Sequence, residues 1–283
     1  MPRPGLRAHD FGKQPAETLA ETLSAYRPSC IQLAPTKALP GIRPEPGALY
    51  ASDAKRIARA FSARGIGIAV LGCYINPVHP DQDERERQIR RFEEHLGLAE
   101  AFGCRIVGTE TGSPNPDCSW HPDTESEATF DLLCRTVERL ARKAEEFGCL
   151  LGLEPVAGQH TLSSIEKTRR LLDRIDSSAV CVIYDPVNLV PETGLGESWE
   201  CFFARAALAF GDRIAAVHAK DCVFAAGRKS AALTAGLGEL DYPALMRMLG
   251  RIAPHDPIIL ENASPSTAPA AMDLIEALWN RPT

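Results

Sequence analysis

The sequence lacks the features that mark several classes of protein. No apolar run approaches the ~20 residues that a helix needs to cross a bilayer. The amino-terminal residues Met1-Pro2-Arg3-Pro4-Gly5 have neither the basic nor the apolar segment of a signal peptide. The net charge of −6 argues against a broad surface for nucleic acids. We therefore expect a cytoplasmic protein with no membrane or nucleic-acid partner.

Paired cysteines and interdomain linkers are also missing. The chain has nine cysteines, an odd number, and none belongs to a CxxC pair. Most fall within apolar strand or helix patterns, where a thiol behaves as a small hydrophobic side chain, so a reduced protein is expected. No Ser- or Pro-rich linker divides the 283 residues. Because α/β barrels of about 250 residues form one domain, we predict a single domain over residues 1–283.

Eight short apolar runs alternate with longer amphipathic stretches. The runs predict strands at Gly5–Asp10, Ser29–Ala34, Ile66–Tyr74, Cys104–Thr109, Cys149–Pro155, Val180–Asp185, Arg213–Ala219 and Pro257–Ala263. The clearest helical patterns lie between them, at Arg85–Phe102, Glu125–Phe147 and Ser164–Ile175. Eight strand–helix repeats predict a (β/α)₈ TIM barrel. The alternative, an open doubly wound sheet, lacks its glycine-rich GxGxxG turn.

Four polar residues close the last four apolar runs. They are Glu154, Asp185, His218 and Glu261. Barrels of parallel strands place their chemistry at the strand carboxyl ends, so these side chains are expected to meet at one mouth. Carboxylates with one imidazole suit a divalent ion such as Mn²⁺, Mg²⁺, Co²⁺ or Zn²⁺. The wider spacing between His218 and Glu261 predicts an insertion of about ten residues after strand seven.

This residue set suits proton transfer beside a carbonyl. A divalent ion can polarise the carbonyl of a hydroxyketone and stabilise the enediolate that forms when the neighbouring carbon loses a proton. Glu154 and Glu261 come from strands five and eight, so they could flank the substrate. One carboxyl group would then remove a proton and the other would return it.

Several motifs give the chain a resemblance to a known superfamily. They are Gly152-Leu153-Glu154-Pro155, Ile183-Tyr184-Asp185-Pro186-Val187-Asn188-Leu189, Val217-His218-Ala219-Lys220-Asp221, Gly236-Leu237-Gly238-Glu239-Leu240-Asp241-Tyr242 and Leu260-Glu261, with weaker support from Gly72-Cys73-Tyr74-Ile75-Asn76-Pro77 and Thr109-Glu110-Thr111-Gly112. In this order they resemble the xylose isomerase-like TIM barrels, the family of sugar phosphate isomerases and epimerases. The resemblance covers nearly the whole chain.

The resemblance implies one divalent metal ion, held by Glu154, Asp185, His218 and Glu261, with the two glutamates also acting as acid and base. The epimerase branch often has a histidine where this chain has Asn188, which can bind substrate by hydrogen bonds but does not titrate. That branch also tends to have an arginine soon after the strand-seven histidine, and the nearest one here is Arg228.

Other polar residues are candidates for substrate binding. Lys220 should point the same way as His218, because side chains alternate along a strand, and it could bind substrate or pair with an acid. His9, at the end of strand one, and Trp120, after strand four, could line the pocket. Asp221 could belong to a second metal site or support the first. His160, in the loop after Glu154, could be a pocket residue or simple packing.

The leading prediction is a metal-dependent isomerase or epimerase of a sugar, keto-sugar or related polyol. A keto-polyol (inosose-type) dehydratase is the alternative, since the same enediolate can lose a β-hydroxyl group. An apurinic-site endonuclease is less favoured, because its additional zinc ligands are missing, and a non-catalytic sugar-binding barrel is disfavoured by the two glutamates. The sequence leaves open the sugar, its phosphorylation, the metal and whether a homo-oligomer forms.

Overall fold

Eight parallel strands close into a barrel. The computed structural model describes residues 3–226 and 228–280, so Met1 and Pro2 of the amino-terminal segment considered above lie outside it. Within these residues the strands are β1 (Gly5–Arg7), β2 (Cys30–Leu33), β3 (Gly67–Gly72), β4 (Ile106–Glu110), β5 (Leu150–Glu154), β6 (Val180–Tyr184), β7 (Ile214–Ala225), β8 (Arg228–Thr234) and β9 (Ile258–Leu260). All except β8 pair in parallel around a complete circle, closed by the β6–β7, β7–β9 and β9–β1 pairs. The predicted (β/α)₈ barrel is confirmed.

Helices surround the barrel between successive strands. They are α1 (Ala16–Ser24), α2 (Pro35–Ala38), α3 (Ala51–Ser62), α4 (Gln82–Phe102), α5 (Glu127–Phe147), α6 (Ile165–Ile175), α7 (Pro186–Leu189), α8 (Trp199–Phe210), α9 (Tyr242–Ile252) and α10 (Ala268–Trp279). The three helices predicted from the sequence correspond to α4, α5 and α6. Helix α4 begins three residues earlier than predicted, because the Asp81 carboxylate accepts the Glu84 N–H and caps it.

The barrel interior below the mouth is apolar and tightly filled. Its buried side chains form one cluster of Val70, Ile106, Cys181, Ile183, Ala216 and Ile259. Gly108 and Gly152 occupy inward positions on β4 and β5, where a Cβ atom would lie 2.6 Å and 2.9 Å from the Cδ1 atom of Ile183. The absence of side chains there lets Ile183 cross the barrel and form a floor. The next inward residues on these two strands, Glu110 and Glu154, therefore lie at the mouth.

The insertion predicted after strand seven is a β-hairpin. Strand seven was predicted to end at Ala219, but β7 continues to Ala225 and pairs antiparallel with β8. The hairpin extends the barrel strand beyond the mouth. Its loop side is held to the neighbouring βα unit, where Lys229 Nζ donates to the backbone oxygens of Val187 and Val190 at 2.9 Å and 2.7 Å.

The first and last barrel strands are shorter than predicted. Strand β1 ends at Arg7, and the chain turns into a 3₁₀ helix at Ala8–Phe11, so His9 lies on this helix and not on the strand. Strand β9 ends at Leu260, and Asn262 has a positive φ of 56° that turns the chain away from the sheet. Both turns occur at the mouth, immediately next to residues of the candidate site.

No helix among the described residues is long and apolar enough to span a membrane. All nine cysteines are unpaired thiols, and six of them are buried. This agrees with their predicted role as small hydrophobic side chains.

Candidate metal centre and active site

The four strand-end residues meet at the mouth of the barrel. Glu154 is the last residue of β5, Asp185 and Glu261 directly follow β6 and β9, and His218 lies within β7. Each offers one oxygen or nitrogen atom, and these four atoms lie within 4.8 Å of one another. All four side chains are buried. The structure thus brings together the complete metal-ligand set that the sequence predicted.

The orientation of His218 is fixed from across the barrel. Its Nε2 donates to Gln32 Oε1 at 2.5 Å, and Gln32 Nε2 donates in turn to the Tyr74 hydroxyl at 2.8 Å. This bond turns Nδ1 toward the carboxylates, 3.1 Å from Glu154 Oε1 and 3.0 Å from Glu261 Oε2. Burial alone would lower the pKa of His218, but the two glutamates raise it to about 10. Without a metal ion, His218 is therefore a cation between two carboxylates.

Two further cations neutralise the carboxylates. Lys220 Nζ lies 2.8 Å from Asp185 Oδ2 and 3.0 Å from Glu261 Oε1. Arg7 Nη1, from the end of β1, lies 2.6 Å from Glu261 Oε1. Burial opposes ionisation of Glu261, yet Lys220, His218 and Arg7 hold its pKa well below the ordinary value. Glu261 is thus kept as a carboxylate inside the barrel.

The residues present fit a divalent cation. Asp185 Oδ2 and Glu261 Oε2 are buried, and their cationic partners are Lys220 at 2.8 Å and His218 at 3.0 Å. Three buried carboxylates this close together need positive charges beside them, which Lys220, Arg7 and protonated His218 supply in the metal-free protein. Carboxylate oxygens with one imidazole nitrogen form the donor set that Mn²⁺, Zn²⁺ and related ions accept. A divalent ion could satisfy these oxygens when the proton on His218 leaves.

Asn188 connects two parts of the site. Its Nδ2 donates to Glu154 Oε1 at 2.7 Å, while its Oδ1 accepts from Lys220 Nζ at 2.8 Å. Asn188 is held in place by α7, whose first turn is capped by Asp185 Oδ1 accepting the Asn188 N–H at 3.0 Å. The amide predicted to bind substrate therefore has both ends engaged by the site's own residues.

Asp221 organises a loop at the rim. Its Oδ1 accepts the N–H groups of Cys222 and Leu240, both at 2.9 Å, and its Oδ2 accepts the N–H of Gly236 at 3.0 Å. Gly238 must be glycine here, since a Cβ atom would lie 2.4 Å from Asp221 Oδ1. The carboxylate thus binds the backbone of the loop. Of the two roles considered from the sequence, a second metal site or support of the first, this corresponds to support.

The remaining predicted pocket residues lie at different distances from the centre. His9 packs edge-on against Tyr74, with ring centroids 6.5 Å apart, and burial lowers its pKa to about 3. Trp120 is exposed at the rim. Arg228 is exposed on the hairpin, where its Nη2 lies 3.0 Å from Glu192 Oε2. His9 is therefore beside the site, whereas the structure does not bring Arg228 to it.

Sequence reasoning missed Arg7, Gln32, Tyr74 and Glu110. Gln32 is the polar residue inside the apolar run Ile31-Gln32-Leu33, which is a signal that could have been found. Arg7 is a cation within a predicted strand and could have been flagged in the same way. Tyr74 and Glu110 were recognised only as parts of motifs. Their side chains come close to the site residues only when the barrel closes and the strands become neighbours.

Comparisons with known proteins agree with this architecture. Among curated proteins, none matches the chain. Among solved structures, a xylose isomerase-like TIM barrel protein from Mycobacterium smegmatis in complex with magnesium is 18% identical, with a TM-score of 0.73 over 98% of this chain and 95% of that one. D-psicose 3-epimerase with D-tagatose, from Clostridium cellulolyticum H10, is 13% identical, with a TM-score of 0.72 over 98% and 99%.

A third similar structure is the probable 3-DHS dehydratase AsbF from Bacillus anthracis, at 14% identity and a TM-score of 0.70 over 97% of this chain and 98% of that one. At such identities these likenesses show the fold alone. The xylose isomerase-like TIM barrel model, in contrast, matches the sequence itself over residues 29–278. The chain belongs to the xylose isomerase-like TIM barrel family.

Proposed function

We propose that this protein is a metal-dependent isomerase or epimerase of a sugar, keto-sugar or related polyol. The observation that carries the proposal is that carboxylate oxygens of Glu154 and Glu261 lie 3.1 Å and 3.0 Å from the same atom, His218 Nδ1, within a donor set that suits one divalent ion. Two carboxyl groups that flank a cation site can exchange protons with the carbon atoms of a bound hydroxyketone.

The chain's own residues divide the work of proton transfer. When bound, a divalent ion would polarise the substrate carbonyl and stabilise the enediolate. Glu261 is kept ionised by Lys220 and Arg7, so it can accept the proton from carbon, whose bonding electrons then form the enediolate. Glu154 would carry a proton taken up from solvent and return it to the enediolate carbon to complete the isomerisation, after which Glu261 gives its proton back to solvent. Asn188 holds Glu154 in place through its 2.7 Å hydrogen bond.

Burial assists this chemistry. Glu154, Asp185, His218, Lys220 and Glu261 are each at most 6% exposed. Electrostatic interactions are stronger in such a water-poor site, which favours charge stabilisation during the reaction. The substrate is expected to be a small carbohydrate that enters through the open end of the barrel.

Dehydration of a keto-polyol is the second candidate. It needs the same base, followed by loss of a hydroxyl group from the carbon next to the enediolate. A third inward carboxyl group, Glu110, is the cross-strand neighbour of Glu154 and could assist the departing hydroxyl. The endonuclease alternative is less favoured, because Asn188 and Asp221, which occupy positions where further ligands would be needed, are engaged by Lys220, Glu154 and the rim loop.

The proposal can be tested with a panel of keto-sugars and inososes in D₂O, using protein loaded with Mn²⁺. Deuterium incorporated beside the carbonyl, detected by NMR, would support proton transfer, and loss of water would indicate the dehydratase. Glu261→Gln should abolish exchange while the fold is retained. Glu166→Gln, which alters an exposed carboxylate paired with Arg205, serves as the control and should exchange normally. Full activity of Glu261→Gln, or the lack of a bound metal ion, would exclude the proposal.

A further inference from the structure

Glu110 is a carboxyl group at the mouth that the proposed reaction does not require. It is the last residue of β4 and the register partner of Glu154, the last residue of β5. Side chains on paired positions of parallel strands point the same way, and neighbouring strands are about 4.8 Å apart. Ile106 and Gly108, four and two residues earlier, line the barrel interior. Glu110 therefore points to the mouth beside Glu154.

Unlike its neighbour, Glu110 is partly exposed, although burial of the rest of the residue raises the pKa of its carboxyl group. Its side chain is 38% exposed, whereas that of Glu154 is 4% exposed. Within residues 3–226 and 228–280, the Glu110 carboxylate accepts no hydrogen bond. His160 Nε2 lies 3.7 Å from Glu110 Oε2. Glu110 can thus accept a hydrogen bond from a molecule that enters the mouth.

His160 is a buried neighbour of Glu110. The ring is only 2% exposed, yet neither Nδ1 nor Nε2 has a hydrogen-bond partner among the described residues. Buried polar groups without partners are uncommon in folded proteins and therefore call for an explanation. Burial lowers the pKa of His160 to about 4, so the ring is neutral and one nitrogen can donate.

The backbone around His160 is fixed to the loop that follows Glu110. The N–H of Thr161 donates to Gly112 O at 2.8 Å, and the N–H of Leu162 donates to Thr111 Oγ1 at 3.1 Å. These bonds tie the loop after β5 to the loop after β4. A small shift of the Glu110 carboxylate would bring it within hydrogen-bond reach of His160, while the other carboxylate oxygen still faces the mouth.

We propose that Glu110 binds a hydroxyl group of the substrate and that His160 is its positioning residue. This inference rests on the proposed function and names the substrate more closely, as a polyhydroxylated molecule with a free hydroxyl group near the reacting carbon atoms. A carboxylate accepts hydrogen bonds and donates none when ionised, so it favours a hydroxyl group there over a carboxylate or phosphate group. Because Glu110 and Glu154 are neighbours, this hydroxyl group should lie a few bonds from the carbon to which Glu154 returns the proton.

The test uses the sugar of the panel that exchanges deuterium fastest, together with its single deoxy analogues. Glu110→Ala should raise KM about 10- to 100-fold, the range expected for a hydrogen bond to a charged group. Its Mn²⁺ stoichiometry and affinity should match those of the wild type. With the wild type, one deoxy analogue should have a KM raised by a similar factor. Glu110→Ala should raise the KM of that analogue no further, because the hydrogen bond is already missing.

The role of His160 is tested by His160→Leu and His160→Gln. His160→Leu should also raise KM. Combined with Glu110→Ala, it should raise KM no further than Glu110→Ala alone. His160→Gln retains a donor and should restore part of the loss. Glu125→Ala removes an exposed carboxylate on the same side of the barrel, paired with Lys167, and should leave KM unchanged.

The outcomes separate the two proposals. If the wild type exchanges deuterium but Glu110→Ala keeps KM within twofold, the role of Glu110 is refuted and the proposed function stands. The same holds if Glu110→Ala raises the KM of every deoxy analogue further. A wild type that exchanges deuterium with no sugar of the panel overturns both.

Discussion

Metal binding should release a proton from His218. In the metal-free protein the pKa of this imidazole is raised to about 10. At pH 7 the ring is therefore neutral in only about one molecule in a thousand. A metal ion needs the neutral ring. Removing the proton at pH 7 then costs about 4 kcal/mol, from three pH units at 1.36 kcal/mol each. The apparent affinity should therefore rise about tenfold per pH unit from pH 7 toward pH 10.

Calorimetry can measure this release directly. Titration of chelator-treated protein with Mn²⁺ at pH 7, in buffers of different ionisation enthalpy, should give close to one proton released per ion bound. His255→Asn, which alters an exposed histidine, should release the same number. Release near zero, or an affinity that does not change between pH 7 and 9, would refute the assignment of His218 as a protonated ligand residue.

The same group should make the metal-free protein less stable at high pH. The folded-state pKa of His218 lies above its ordinary value of 6.5, so its contribution to the free energy of unfolding is fully present below pH 6.5 and is lost as pH rises through about 10. Urea unfolding in the presence of EDTA should show a decrease of up to about 4 kcal/mol between pH 7 and 10 from this residue. If His218→Asn shows the same decrease, another group is responsible.

Three substitutions probe the framework of the site. Gly108→Ala should lower the free energy of unfolding by about 1–3 kcal/mol in urea, because the added methyl group overfills the barrel interior, while Gly250→Ala, on a helix with open space, should not. Gln32→Leu should weaken Mn²⁺ binding about 10- to 100-fold in calorimetry, since His218 loses the bond that orients it; equal affinity would contradict this. Asp221→Ala should lower the unfolding free energy by about 3 kcal/mol or more, because three backbone N–H groups lose their acceptor, and a change below 1 kcal/mol would contradict this role.

The proximity of the four strand-end residues could be predicted because it depends on local patterns. Glu154, Asp185 and Glu261 each follow a short apolar run, and the run fixes both the strand and the direction in which it ends. Once the strands are parallel, their carboxyl ends must share one side of the sheet. No long-range detail is needed to place these residues together.

The partners that tune these ligands could not be found in this way. Gln32 and His218 are 186 residues apart in sequence, and they meet only because β2 faces β7 across the closed barrel. Arg7 reaches Glu261 through the β1–β9 pair that closes the circle. Such contacts follow from barrel closure and side-chain reach, which the pattern of apolar residues does not specify.

The hairpin formed by β7 and β8 was not predicted, for a different reason. The stretch that forms its outer half reads Arg-Lys-Ser-Ala-Ala-Leu-Thr from Arg228 to Thr234, with few β-branched or aromatic residues. The sequence also lacks an Asn-Gly or Asp-Gly turn there. The antiparallel pairing instead follows from the exposed edge that β7 offers above the barrel. Tertiary context supplied a strand that local propensity does not favour.

Residues 218–221 show why one short motif carries both the chemistry and the architecture of this mouth. Alternation along β7 sends His218 and Lys220 inward, where one can hold a metal ion and the other neutralises Asp185 and Glu261. Asp221 instead binds the backbone of the rim loop. That loop leads to Tyr242, whose hydroxyl donates to the backbone oxygen of Lys220 at 2.9 Å. A change at Asp221 would therefore reach the site through the position of Lys220, without removing any ligand.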